Sequence, residues 1–420
     1  MIRKNLLIIF LLITVTASAQ EGSKSPFSFF GIGELRSKGT NYERTMGSIG
    51  MLADSIHTNL LNPAALAKLK LTNYTLGLTY SSISFDSDET SANTDNSTVD
   101  YLTLAFPVTK KLSAGFGFLP FSSVGFELQN TDSIAGRVSR FEGDGGVNRV
   151  FLAAGYALND AWSLGVEANF NFGNIKTTST IQFEDVQFGS RERNESDVNG
   201  FSFTLGVHHQ KKLFKDKKLV MQSSATFSPE INLSSDNTRM LSTVIFSATG
   251  VGFDVDSLKV DVPDTDLVIP QQISVGTGIG EPKKWFAGVQ FTHLQSSNFT
   301  NRFVNAGDVS FENSSRISLG GYYIPNYISF SSYLSRIQYM AGIRYEETGI
   351  VVNGESIDDF GISFGLGLPV NANGNFSNAT VGFEIGQKGT TSAGLVKENY
   401  FNFRVALSLN DRWFVRRKFN

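Results

Sequence analysis

The sequence predicts an all-β fold: a transmembrane antiparallel β-barrel of about 14 strands, with its N-terminal segment serving as a hatch or plug inside. Three observations carry this expectation. The first is a polar–apolar alternation that recurs from about residue 71 to the C-terminus. In Ala161–Gly173, Trp162, Leu164, Val166, Ala168, Phe170 and Phe172 share one face, while Ser163, Gly165, Glu167, Asn169, Asn171 and Gly173 share the other. Strand side chains alternate with period two, so the segment has one oily and one wet face. A barrel in lipid turns the oily face outward and fills its lumen with polar groups. The second observation is an alternation of short and long connections between such runs. The third is an N-terminal export signature.

That signature comprises Arg3 and Lys4, the apolar stretch Leu6–Val15, and Ala17-Ser18-Ala19 ahead of Gln20. A basic start, a short apolar run and small residues at a cleavage point describe a secretory signal over residues 1–19. About ten apolar residues are too few for a membrane-spanning helix, and no later stretch reaches the roughly 18 such a helix needs. A mean hydropathy of −0.08 suits a barrel as well as a soluble protein, because lumen-facing residues dilute lipid-facing ones. The 36 Phe and 40 Gly, with 18% charged residues, fit an aromatic lipid face and a crowded wall. With no Cys there is neither a disulfide framework nor a thiolate site. A net charge of −3 argues against a nucleic-acid partner.

Residues 20–70 differ from the rest of the mature chain. Phe27, Phe29, Phe30, Ile32, Met46, Ile49, Met51 and Leu52 are apolar groups that a solvated tail does not favour. Asn62-Pro63-Ala64 suits one short helical turn, with Asn62 as its cap and Pro63 at the first position. The expectation is a compact plug rather than a disordered tail.

The barrel is expected over residues 71–410. Strand one covers about Leu71–Ser84, strand two Val99–Pro107, and strand three starts near Lys111. Strand four is Asn148–Leu158, strand five Ala161–Phe183, strand six Val198–Lys211, strand seven Lys218–Leu233 and strand eight Leu267–Ile279. Trp285–Phe291, Ile317–Tyr323, Ile337–Tyr345, Phe360–Leu368, Ala379–Ile385 and Phe401–Leu409 mark strands nine to fourteen. Connections after even strands are mostly short, such as Asn159-Asp160 and Gly280–Lys284. Those after odd strands are mostly long and polar: Asp86–Thr98, Gln129–Val147, Glu184–Asp197, Ser234–Asp266, Gln295–Ser314, Glu346–Ile357 and Gln387–Asn399. Short periplasmic turns, longer outer loops and an even strand number are the outer-membrane pattern. Thr238–Val251 is also strand-like, and is expected to form a hairpin within the fourth outer loop. Residues 411–420 are a basic periplasmic tail.

Met46-Gly47-Ser48-Ile49-Gly50, Asp54 and Asn62-Pro63-Ala64, followed by strand one, resemble the FadL/TodX family of outer-membrane transporters for hydrophobic compounds. Leu267–Gly276 and Trp285 resemble that family's mid-barrel pattern, and Ser25–Gly33 and Asn410–Phe414 resemble a branch found in Bacteroidota. The resemblance implies fourteen strands, a hatch ending in Asn62, Pro63 and Ala64, and passive uptake of hydrophobic small molecules such as long-chain fatty acids. It also implies sideways release at a kink in strand three. Pro120 interrupts that strand's apolar run and Gly125 follows; proline is confined to sheet edges and bulges, so a kink is expected there. The rival function is that of a non-transporting accessory barrel, bound to a protein partner in an outer-membrane secretion complex. Outer-membrane lipids are partners in either case, and a monomeric barrel is expected.

No enzymatic site emerges. His57, His208, His209 and His293 lie on elements that do not meet in one place. Asp254, Asp256, Asp261, Asp264 and Asp266 could supply oxygen ligands, but without the glycine and closing glutamate of a calcium loop they suit a solvated loop. Glu167, Arg344, Glu384 and Arg404 are expected to face the lumen and to pair there. No cofactor, metal or catalytic residue is expected.

Overall fold

Strand one (Thr72–Asp86) hydrogen-bonds to strand fourteen (Lys397–Asp411), from Thr72 opposite Asp411 to Asp86 opposite Lys397, and this pairing closes the wall. The computed structural model describes residues 22–88, 90–132, 134–214, 218–247, 252–299, 309–370 and 377–413. The expected signal over residues 1–19, the Asn371–Asn375 turn and the end of the basic tail lie outside the described residues.

Between the closing strands the wall runs through strand two (Ser91–Pro107) and strand three (Leu112–Pro120, resuming as Ser122–Asp132). Strands four (Arg137–Ala157), five (Trp162–Phe183) and six (Phe188–Lys212) follow. Strand seven is Val220–Ser228 and Ile231–Phe246, and strand eight is Gly252–Val260, Thr265–Ile269 and Gln272–Glu281. Strands nine to thirteen are Trp285–Leu294, Ser314–Tyr323, Gln338–Val352, Glu355–Val370 and Ser377–Lys388. Each is antiparallel to its sequence neighbour, giving fourteen wall strands. The strand-like Thr238–Val251 adds none: through Phe246 it continues strand seven, and Gly252–Val260 returns beside it.

The wall is inside out. Leu102, Leu152, Phe201, Leu319, Phe364 and Leu407 are exposed around its girth, while Glu167, Asn169, Asn171, Ser363, Glu384 and Arg404 are buried. Only a wall with lipid outside and a filled interior accommodates both sets.

Several expected outer loops are strand instead. Strand two begins at Ser91, not Val99; strand four at Arg137, not Asn148; strand six at Phe188, not Val198. The connections shrink accordingly, to 87–90, 133–136 and 184–187. Above the membrane both faces of a sheet are wet, so these extensions lack the oily face that marks the spanning part.

Candidate functional site: the N-terminal segment and the break in strand three

Residues 22–70 make contact around the whole ring. The Asn41 amide donates to the Leu78 and Val405 carbonyls on strands one and fourteen, and its backbone N–H to the Tyr101 hydroxyl on strand two. The Ala53 N–H donates to Gln222 on strand seven, and the Gly50 N–H to Gln290 on strand nine. Ser363 on strand twelve donates to the Thr45 carbonyl. A segment that touches strands on every side of a closed ring lies within it.

Local chemistry shapes the segment. The Asn62 side chain accepts the Ala64 N–H at 3.0 Å and caps a 3₁₀ helix at Pro63–Lys68, with Pro63 where a missing N–H costs nothing. Glu43, three residues after Thr40, accepts the Thr40 N–H at 2.8 Å and starts a single helical turn at Asn41–Arg44. Met46, Ile49 and Met51 are fully buried against Phe286 and Met340; Leu60 and Leu66 pack with Tyr101, Leu119 and Phe151. Each such side chain contributes roughly 1.5–3 kcal/mol, so apolar burial outweighs any one ion pair in holding the segment. Close approach depends on wall glycines: a Cβ on Gly165 would lie 2.1 Å from the Ala64 nitrogen, and one on Gly342 would lie 2.1 Å from the Gly47 nitrogen.

The lumen-facing charges divide between two tasks. Glu167 binds Lys38 of the segment. Arg344 and Arg404 both bind Glu384, Arg344 at 2.9 Å; Arg344 also reaches Asp359 at 2.9 Å and the Tyr400 hydroxyl at 2.8 Å. This second cluster ties strand eleven to strands twelve, thirteen and fourteen. Three further links were not legible in the sequence: Arg44–Asp100 at 3.0 Å, Lys388–Glu34 at 3.0 Å, and Ser25 with Glu398. Asp100 did leave a sign. It shares the outward parity of Leu102 and Leu104, where a charge would face lipid. A register shift between Gly77 and Leu78 leaves Asp100 as the extra residue and turns it inward to Arg44.

Burial raises the Glu34 carboxyl, but Lys388 and Arg36 outweigh that and hold it at about 2. Glu43 goes the other way: burial pushes it up to about 8, against hydrogen bonds from the Thr40 and Leu60 backbones. The docked segment thus keeps a proton that a released segment loses above the ordinary value of 4.5. Glu43's own contribution to docking is therefore full below that value, weakens as pH rises to about 8, and is level beyond, whereas Glu34's contribution is present above its ordinary value and lost as pH falls toward about 2. Glu43→Gln is expected to flatten the first dependence. Protease digestion of the segment at about pH 5 and about pH 9 reads it, since the increase in cutting from the lower to the higher pH should be smaller in the variant than in wild type.

Strand three parts from strand two above Phe118, which pairs with Leu102 as the last residue of their ladder. Pro120 is the last residue of the lower half, and Phe121 interrupts the strand. Opposite strand four, 121–123 stand against 146–147, so strand three carries one extra residue and bends. The edge this exposes is taken by the segment. Glu34 and Leu35 pair with Ser123 and Ser122, the Arg36 N–H donates to the Phe121 carbonyl at 2.9 Å, and Ser28 bonds both the N–H and the carbonyl of Gly125. A Cβ on Gly125 would meet the Ser23 carbonyl at 1.9 Å, so glycine is what admits the segment there.

Behind the break lies a cavity of about 350 Å³. Phe30, Ile32, Leu119 and Phe121 line the side next to the break. Arg344, Asp359, Glu384, Lys388 and Arg404 line another part. The Arg149 guanidinium lies 4.1 Å above the Phe121 ring and donates to Asn171 at 2.8 Å. Elsewhere, His57 binds Asp54 and stacks on Tyr42, His208 meets Gln222, and His209 lies against Trp162. Asp254 is taken by Arg191 and Arg193.

The BamG family model matches residues 1–420. The chain belongs to the BamG family. No curated protein matches it. Among solved structures, a Pseudomonas aeruginosa FadL homologue superposes with a TM-score of 0.63 at 12% identity, covering 91% of this chain and 100% of that one. The P. putida toluene transporter TodX gives 0.59 at 13% identity, with 91% and 100% covered. The monoaromatic hydrocarbon channel CymD gives 0.55 at 13% identity, with 91% and 99% covered. At such identities the likeness is one of fold, and this BamG family member shares the FadL/TodX barrel fold.

Proposed function

We propose that this BamG family member is an outer-membrane barrel kept shut by its own N-terminal segment, and that it serves as an accessory subunit bound to protein partners. The observation that carries this reading is the closure of the break where strand three leaves strand two. There the segment supplies a strand edge, Glu34–Leu35, and is tied down by Glu34–Lys388 and Lys38–Glu167. A solute leaving through the break would have to displace the paired Glu34–Leu35 backbone. Membership of the BamG family accords with this reading. The test is purification from native membranes in mild detergent, with proteoliposome permeation measured in parallel. Stoichiometric protein partners and no permeation of toluene or fatty acid are expected. A monomer carrying lumenal acyl lipid that conducts such solutes would overturn the reading.

A second reading is passive uptake of hydrophobic small molecules, long-chain fatty acids among them. It is favoured by the apolar group Phe30, Ile32, Leu119 and Phe121 directly behind the break. In it, the segment around Asn62–Ala64 is a hatch, and Pro120 and Gly125 belong to a lateral gate. Pro120→Ala and deletion of Ser25–Ala67 would then both alter uptake while the wall stays folded; unchanged uptake in both would dispose of it.

A further inference from the structure

The wall's rim on the side of the chain termini carries three described turns of three or four residues, 108–111, 158–161 and 282–284. The connection between strands ten and eleven, Ile324–Ile337, is fourteen residues long. Its shape is held by its own bonds: the Asn326 N–H donates to the Ser335 carbonyl at 2.7 Å, and the Ser332 N–H to the Ser329 hydroxyl at 3.2 Å. Ile324 and Ile337 at its ends are buried, yet the large apolar side chains between them point away from the protein. Phe330 is 103% exposed, Ile328 74% and Leu334 65%. A loop that met only water would gain nothing from ordering such a tip.

Two features indicate what covers it. The first is continuity with the lipid-facing wall. The Tyr339 hydroxyl, on the outward face of strand eleven, donates to the Leu334 carbonyl, and the Tyr333 hydroxyl to the Pro369 carbonyl at the end of strand twelve. The returning limb of the loop therefore runs along the surface that Tyr323 and Tyr339 present to lipid. The second is charge. The loop contains no Asp or Glu, whereas cations sit over its aromatic rings, Lys283 at 4.7 Å from Tyr327 and Arg336 at 5.3 Å from Tyr333. The Arg336 Nε is buried without a hydrogen-bond partner among the described residues. Apolar tip, aromatic collar and flanking cations are the composition of a segment lying in a membrane interface.

We propose that Ile324–Ile337 is a membrane-interface anchor, which inserts Ile328, Phe330 and Leu334 among the phospholipids of the leaflet on the terminal side of the wall. Lys283 and Arg336 then stand at headgroup depth. The anchor fixes the tilt and rotation of this side of the barrel in the bilayer, independently of whether the lumen conducts.

The chain has no cysteine, so Phe330→Cys and Ile328→Cys can each carry a single nitroxide in the full-length protein. Vesicles of phosphatidylethanolamine and phosphatidylglycerol serve as the membrane. Leu407→Cys on the lipid-facing wall and Ile134→Cys, at a position 102% exposed in an outer connection, are the references. At 330 and 328 the label is expected to collide more with oxygen than with a water-soluble nickel chelate, as at 407; the opposite order is expected at 134. Nickel-dominated collisions at 330 and 328 in vesicles would overturn the anchor. Shielding that appears only in native membranes would overturn it too, and would assign the loop to a protein partner. Both labelled side chains point away from the protein, so folding is not at stake, and heat-modifiable gel mobility verifies it.

Discussion

Gly165→Val and Gly342→Val are each expected to drive the N-terminal segment out of the barrel while the wall remains closed. At both positions the new Cβ would sit 2.1 Å from a backbone nitrogen of the segment, Ala64 in one case and Gly47 in the other. Neither contact can be relieved by a side-chain rotation, because the atoms met are main chain. Overpacking typically costs about 1–3 kcal/mol where a core can adjust, and here two pieces of backbone would have to separate. The wall is insulated from the change. Its ladders, such as Gly165 opposite Gly155 and Gly206, run through main-chain bonds that valine keeps. Planar-bilayer recording should show ion conductance in both variants, and protease should cut within residues 22–70 while the barrel keeps its heat-modifiable mobility. The lipid-facing neighbour Val166→Ile should stay closed and resistant. Closed, resistant glycine variants would mean that the segment can repack, and that its docking is less specific than the contacts imply.

Legibility in the sequence followed the physics of each region. Where a strand crosses lipid, one face must be oily and the other polar, and Trp162–Phe172 shows this in its alternation. Above the membrane that demand lapses. Ser91–Thr98 and Phe188–Asp197 are regular strands with polar residues on both sides, indistinguishable from loop by periodicity. The cap at Asn62 was visible because capping is local: three consecutive residues determine it. The partners of the segment were not. Glu34 meets Lys388 across 354 positions, and Asn41 meets the Val405 carbonyl across 364. Neither end of such a pair carries a pattern that names the other. Pro120 ends the lower half of strand three, two residues beyond its last pair with strand two, Phe118 opposite Leu102. That the vacated edge would be filled by Glu34–Leu35 had no precursor in either segment, since two residues show no alternation.

Glu384→Leu is the substitution expected to cost the wall most. Glu384 is 3% exposed and is the carboxylate that Arg404 and Arg344 share, with the Asn402 amide donating to it at 3.1 Å. Arg344 would keep Asp359 at 2.9 Å and Glu346 at 3.6 Å. Arg404 would keep none of its ion pairs, and its Nε already lacks a hydrogen-bond partner among the described residues. Removing one partner of a buried pair costs about 3–5 kcal/mol, because the other charge is left desolvated. An exposed pair offers the contrast. Lys176 and Glu195 meet at 3.2 Å with both side chains about half exposed, and Glu195→Gln should cost no more than about 1 kcal/mol. Urea unfolding of the reconstituted barrel, followed by heat-modifiable mobility, measures both. The decisive variant is the double one, Glu384→Leu with Arg404→Leu. If the stranded arginine is the cause, removing it as well should recover part of the lost stability. A double variant weaker than Glu384→Leu alone would instead make Arg404 stabilising in its own right, held by the lumen's polar surroundings rather than by a single carboxylate.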